Sequence, residues 1–214
     1  MIKKLDFVDT YSLYKEITKE NIQGGILLVK GIPNCVSDVV LLKIIHLLGS
    51  EVNYPSSQYG SKLIHELKSN SPSLVSDGID WHTEDSFRLI PPKYVALYCV
   101  KGCVSVNTLF AKITLKDDFK NLDVKVKADP YLYKKHQSIY LPLSFNTNKN
   151  SKALGYRYDG ALIPDSKIHF VLDSLLTLNL EENDLLVFDN HLLAHSKHGV
   201  DERKQRQLKR VIIL

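Results

Sequence analysis

Cysteine is scarce in this chain: Cys35, Cys99 and Cys103 are the only three among 214 residues. An odd number cannot pair completely, and their spacing suits neither a disulfide framework nor a zinc site. Three reduced thiols in a cytoplasmic core are expected. Long apolar runs are also missing. No stretch approaches the roughly 18 residues that carry a helix across a bilayer, so no membrane partner is expected. The N-terminal MIKKLDFVDTYSLYKEI has a basic start but neither a continuous apolar segment nor a small-residue cleavage site, so no secretory signal is expected. No internal repeat, low-complexity tract or Pro/Gly/Ser-rich linker divides the sequence, and one domain spanning 1–214 is expected. Charge of one sign is in small excess, with 28 Lys and Arg against 24 Asp and Glu, a net +4. The basic residues are spread out except for one dense run, RKQRQLKR at 203–210. Such a balance suits an enzyme for small anions, and no nucleic-acid partner is expected.

The remaining composition is that of a soluble globular protein, with 44% hydrophobic and 24% charged residues. The first part reads as helical. Asp9 can cap a helix through about Asn21, and Ser37 a second one through Leu48 with Gly49 as its stop. GGILLVKGIP between them reads as a short strand bounded by glycines. From about residue 61 the pattern changes to short strands: SKLIHEL, YVALYCV, VNTLFA, SIYLPL, LGYRYDG, DLLVFDN and LKRVIIL. Helices are expected to interrupt this set near Leu115–Leu122 and Asp165–Leu176. Many short strands with peripheral helices predict a mainly β chain with a double-stranded β-helix, or jelly-roll, core.

The segment DWHTEDSFRLIPPKYVALYCVKG is the most informative. In an extended chain residues i and i+2 project to one side, so His82 and Glu84 are expected to point together. An imidazole and a carboxylate so held, with a distant second histidine, form the two-His-one-carboxylate face that binds iron(II) and leaves three positions open. A bare His-x-Glu is common, and on its own it also fits a strand with a surface Glu and a satisfied His. Here Trp81, Asp85-Ser86-Phe87 and the strand KYVALYCV extend the pattern.

WHTEDSF-x4-PKYVALYCV resembles the HTEDAF…P-x-YV-x-L signature of the clavaminate synthase-like branch of the taurine dioxygenase superfamily. Its nearest members are free-amino-acid β-hydroxylases for arginine and asparagine. GGILLVKGIP is similar to that family's early G-x-LLLRGLP strand, and DLLVFDNHLLAHSKHG to its DLL-x-IDNRRAVHGR. The resemblance covers nearly the whole chain in order. It selects His195, in the DN-x4-H register, as the third metal ligand, with His191 the main rival; His195 lies 113 residues beyond His82 (195 minus 82). His46 and His65 read as structural histidines. The resemblance further implies iron(II) as cofactor, 2-oxoglutarate as co-substrate, and dioxygen and a small molecule, a free amino acid above all, as reactants. Hydroxylation of an unactivated C–H bond would release succinate and carbon dioxide. Glu84 leaves no coordination site for a halide, which disfavours a halogenase; desaturation and cyclisation stay open.

A co-substrate carboxylate calls for the planar fork of an arginine. The resemblance places Arg206 there, with Thr108 beside the co-substrate, and Arg210 on the carboxylate of the substrate. If Arg206-Gln207-Leu208-Lys209-Arg210 is a strand, 206, 208 and 210 share one face. Arg203 or Lys209 could serve instead if the register slips, and the run also reads as a solvated basic turn. Gln58 and the RYD segment ending in Asp159 match positions that touch substrate in the family, although an Asp before Gly160 equally suits a turn. Asp85 can hydrogen-bond behind the metal ligands. Two other readings compete: an oxygenase of this class acting on another small molecule or a carrier-bound residue, and a non-catalytic jelly-roll binding protein.

Overall fold

A computed structural model describes residues 2–22, 25–50, 63–68, 78–85, 92–115, 125–127, 140–142, 144–146, 152–154, 170–199 and 205–214. Two sheets dominate. The larger has the strand order β1 (Ile2–Asp6), β2 (Ile26–Lys30), β12 (Leu185–Asp189), β5 (Tyr94–Lys101), β14 (Gln207–Ile213) and β3 (His65–Lys68). The smaller runs β11 (Phe170–Leu178), β6 (Asn107–Leu115), β13 (Leu193–His198) and β4 (Gly78–His82). Pairs β7 (Lys125–Lys127) with β8 (Tyr140–Pro142) and β9 (Ser144–Asn146) with β10 (Lys152–Leu154) form two short ribbons. Among the described pairings only β1 with β2 is parallel.

The larger sheet is covered on both faces, which explains why its central strands read as continuous apolar runs rather than alternating ones. All of Tyr94–Cys99 and all of Leu185–Asp189 are buried. On the outer face α3 (Asn34–Leu48) lays down Val40, Leu41, Ile44, Ile45 and Leu48, a helical stripe, against Leu27, Val29, Ala96, Val187, Val211 and Ile213. On the inner face Ile26, Leu28, Val95, Leu97, Leu186, Phe188 and Leu208 meet Phe110, Leu178 and Leu193 from the smaller sheet. The turn after α3 demands glycine, because a Cβ on Gly49 would stand 2.0 Å from the Leu214 carbonyl oxygen. There the chain passes against its own last strand, with Leu214 N donating to Ser50 O at 3.0 Å.

The short α1 (Thr10–Glu16) is capped by Asp9, whose Oδ1 accepts from Ser12 N at 2.8 Å. The helix expected through Asn21 is instead broken at Ile17 and Thr18 and restarts as α2 (Lys19–Ile22). Ser37 is not the cap of α3. It sits inside the first turn and donates to Asn34 O at 2.8 Å, while Pro33 occupies the cap position. The helix expected at Asp165–Leu176 is corrected more deeply: Phe170–Leu178 is strand β11, paired with β6 through an irregularity between Asp173 and Leu176. Its leucines suit either state, and pairing with β6 decides between them. The expected helix near Leu115–Leu122 begins where β6 ends, and 116–124 lie outside the described residues. All three cysteines are free, but only Cys99 is buried; Cys35 is exposed and Cys103 intermediate.

Candidate metal centre

His82, Glu84 and His195 converge, with their ligand atoms all within 4.8 Å of one another; among the described residues no other such group forms. Strand pairing brings them together. His195 on β13 is in register with His82 on β4 and, on its other side, with Phe110 on β6. The imidazoles of His82 and His195 stand 4.2 Å apart, centroid to centroid. The convergence of His82 and Glu84 does not come from a shared strand face, as their spacing predicts. β4 ends at His82, Thr83 leaves the strand, and Glu84 and Asp85 form a turn in which Asp85 adopts φ 49°. Asp is among the few residues that take this left-handed conformation readily.

That turn is fastened by Asn190, which the sequence motif marks only as a point of register. The buried Asn190 accepts from Glu84 N at 2.7 Å through Oδ1 and donates through Nδ2 to Glu84 O at 3.0 Å and Pro92 O at 2.9 Å. Its neighbour Asp189, fully buried, pairs with Lys93 Nζ at 2.5 Å and accepts from His191 N at 3.0 Å. Three separate stretches of sequence, HTED, PPK and FDN, thus lock into one unit beneath Glu84.

His195 is packed edge-on to Phe188, with centroids 5.0 Å apart, and lies near Phe110. Burial, and after it the charges of His82 and Arg210, hold its pKa well below the ordinary value, so the ring is neutral at pH 7. Its Nε2 is 3.9 Å from Glu84 Oε2, and its buried Nδ1 has no hydrogen-bond partner among the described residues. A neutral imidazole facing a second imidazole and a carboxylate, its Nδ1 without a partner among the described residues, suits a divalent transition metal. The donor set therefore fits iron(II).

The strand alternation expected around Arg206 is present. Arg206, Leu208 and Arg210 are buried, and Leu208 belongs to the cluster between the sheets. Arg206 Nη2 donates to Thr108 Oγ1 at 2.9 Å, so two residues singled out for the co-substrate are in contact. Lys209 points the other way, onto α3, with Nζ 2.7 Å from Asp38 Oδ1 and 2.9 Å from Ser37 Oγ. Arg210 meets the metal cluster itself: Nη1 donates to Glu84 Oε1 at 2.7 Å and Nη2 lies 3.4 Å from His65 Nδ1. His65, read as structural, is buried opposite Arg210 in the register of β3 and β14. No local pattern marks it, because its place depends on a pairing across 145 residues. His46 is exposed on α3, and His191 stands outside the cluster. Gln58, Asp159 and Arg203 lie outside the described residues.

No protein-family model and no curated protein matches the chain. Its structure does match solved ones. The non-heme iron oxygenase OrfP in complex with Fe and alpha-ketoglutaric acid is similar with a TM-score of 0.69 at 15% identity, over 94% of this chain and 78% of that one. A mutant of OrfP in complex with (3S)-hydroxy-L-Arg gives 0.71 at 16%, over 94% and 78%. OrfP with Fe and L-Arg gives 0.64 at 16%, over 95% and 78%. The chain has the mainly β fold of these oxygenases, a jelly-roll core with peripheral helices.

Proposed function

We propose that this chain, as one domain over 1–214, is an iron(II)- and 2-oxoglutarate-dependent dioxygenase that hydroxylates an unactivated C–H bond of a free L-amino acid. The observation that carries the reading is the meeting of His82, Glu84 and His195 between two sheets. The solved OrfP complexes with Fe, alpha-ketoglutaric acid and L-Arg add support from outside the chain. In this reading the three side chains hold the metal. Bound iron(II) would supply dioxygen activation, with 2-oxoglutarate leaving as succinate and carbon dioxide.

The protein's own work is binding and orientation. His195, kept neutral by burial, offers a lone pair without first losing a proton. Arg206 and Thr108 present an N–H fork and a hydroxyl to the far carboxylate of the co-substrate. Register supports that span. Thr108 is in line with Lys197, two residues beyond His195 on the same strand face, a step of about 7 Å. A five-carbon dicarboxylate anchored near His195 reaches about that far. Arg210 has five N–H donors and can serve a substrate carboxylate as well as Glu84. Gln58 and Asp159 would contact the substrate. Phe110 and Phe188, both buried in the core, pack against the His195 ring and keep water from that side of it. Free thiols suit the reducing cytoplasm, where we place the reaction.

The test is anaerobic addition of iron(II) and then 2-oxoglutarate, followed by a visible absorbance scan. A weak charge-transfer band that needs both components and is lost in His195→Ala is expected. Free amino acids are then screened for faster succinate formation; stimulation only by other small molecules or carrier-bound residues would move the substrate. Absence of the band, with no 2-oxoglutarate binding by calorimetry, would overturn the reading and leave a binding protein.

A further inference from the structure

The two oxygens of the Glu84 carboxylate have different neighbours. Oε1 accepts from Arg210 Nη1 at 2.7 Å, while Oε2 is the oxygen turned toward His195 Nε2, 3.9 Å away. The backbone beneath is held in place, because Asn190 bonds both Glu84 N and Glu84 O. Arg210 is in turn braced by His65. A guanidinium only donates, so the contact between Nη2 and Nδ1 makes Nδ1 the acceptor and puts the His65 proton on Nε2.

We propose, resting on the metal-binding reading above, that Arg210 steadied by His65 is a positioning residue that restricts Glu84 to one-oxygen coordination. The restriction has a chemical purpose. Two imidazoles and one carboxylate oxygen occupy three of six positions around iron(II) and leave three open. A bidentate 2-oxoglutarate would fill two of these and leave the third for dioxygen. A Glu84 that chelated through both oxygens would take that last position. With Oε1 engaged by Arg210, only Oε2 is offered, and the oxygen site stays open.

The probe is Mn(II) alone, bound to the full-length chain without co-substrate, with exchangeable waters on the ion counted by water relaxation and by line broadening in oxygen-17 water. Wild type is expected to hold about three waters. Arg210→Met and Arg210→Gln, which remove the charge, are expected to hold about two, and Arg210→Lys, which restores a cation beside Oε1, about three. His65→Leu should shift the count in the direction of the Met variant. Circular dichroism selects which of the two charge-removing variants is folded, and one suffices; collapse of both would make Arg210 a structural residue and overturn the proposal. A folded variant that keeps three waters overturns it too. Wild type that binds no Mn(II) is a separate result, which removes the metal-binding reading and this inference with it.

Discussion

The two faces of the larger sheet are both buried and chemically unlike. The outer face, under α3, is closed by Leu27, Val29, Ala96, Val187, Val211 and Ile213, and its buried carboxylate, Asp189 at the end of β12, is paired with Lys93. The inner face buries His65 and Arg210 on strands of the same sheet, Arg206 just ahead of β14, and His195 and Thr108 across from them. Strand β14, with Arg206 just ahead of it, belongs to both, alternating Arg206, Leu208 and Arg210 inward with Lys209, Val211 and Ile213 outward. Burying an ionisable group costs several kcal/mol unless it is paired, so a fold selected for stability alone would resemble the outer face everywhere. The inner face departs from that pattern at the residues proposed above to hold a metal and an anion.

The contrast is broken most severely from each side by one substitution. His82→Ala should reduce turnover by more than the about 10- to 100-fold that losing an outer partner of a metal ligand produces, with the melting temperature of the metal-free protein little changed. Leu41→Ala, fully buried in the outer cluster, should do the reverse. It should cost about 2–5 kcal/mol in urea unfolding while the Mn(II) affinity of the folded fraction is unchanged. If His82→Ala unfolds the protein, or Leu41→Ala empties the metal site, the two faces are not separable.

Within the inner face, the Arg206 and Thr108 pair should answer to co-substrate alone. A hydrogen bond to a charged partner is worth about 1.5–3 kcal/mol, so Arg206→Met should raise the KM for 2-oxoglutarate about 10- to 100-fold. Thr108→Val removes a neutral donor and should raise it about 2- to 10-fold. Both effects are read from succinate formation, with the KM for the amino acid as control. An equal rise in both constants would mean that the pair shapes the whole cavity rather than one anion site.

Much of this arrangement is legible in local sequence, and the parts that are not share a cause. YVALYCV and DLLVFDN announce buried strands because each is apolar on both sides, and the alternation of 206, 208 and 210 is enough to place two arginines on one face. Spacing and resemblance mark the metal residues, although the extended geometry expected for His82 and Glu84 is replaced by a strand end and a turn. What stays hidden depends on pairing between distant segments. β11 reads as a helix until β6 is laid beside it, His65 is one of eight histidines until β3 meets β14, and Asn190 works on a residue 106 positions away.

The faces should also differ in their response to acid. His195 in the folded protein has its pKa held well below 6.5, whereas in the unfolded chain it protonates near that value. Above pH 6.5 neither state binds the proton and stability is unaffected. Below it the unfolded state binds more protons, so stability falls as pH falls, by up to about 1.4 kcal/mol per unit, until the folded pKa is reached. Urea midpoints of the metal-free protein between pH 7 and pH 5 measure this slope, and His195→Asn should flatten it. The Leu41→Ala protein should keep it, because Leu41 packs in the outer cluster, away from His195 on the smaller sheet.

The smallest expected effect is the most exact test of the two faces. Lys209 stands between Leu208 and Arg210, and a slip of one residue in β14 would turn it into the cavity and both arginines out of it. In the observed register its Nζ lies 2.7 Å from Asp38 Oδ1 on α3 and 5.8 Å from the ring centroid of Tyr98. The Asp38 side chain is 60% exposed, so solvent screens the pair, and Lys209→Met should cost no more than about 1 kcal/mol in urea unfolding. The KM for 2-oxoglutarate should not move. A rise comparable to that of Arg206→Met would place Lys209 on the anion, reverse the assignment of every residue on β14, and remove the basis for distinguishing a structural face from a functional one.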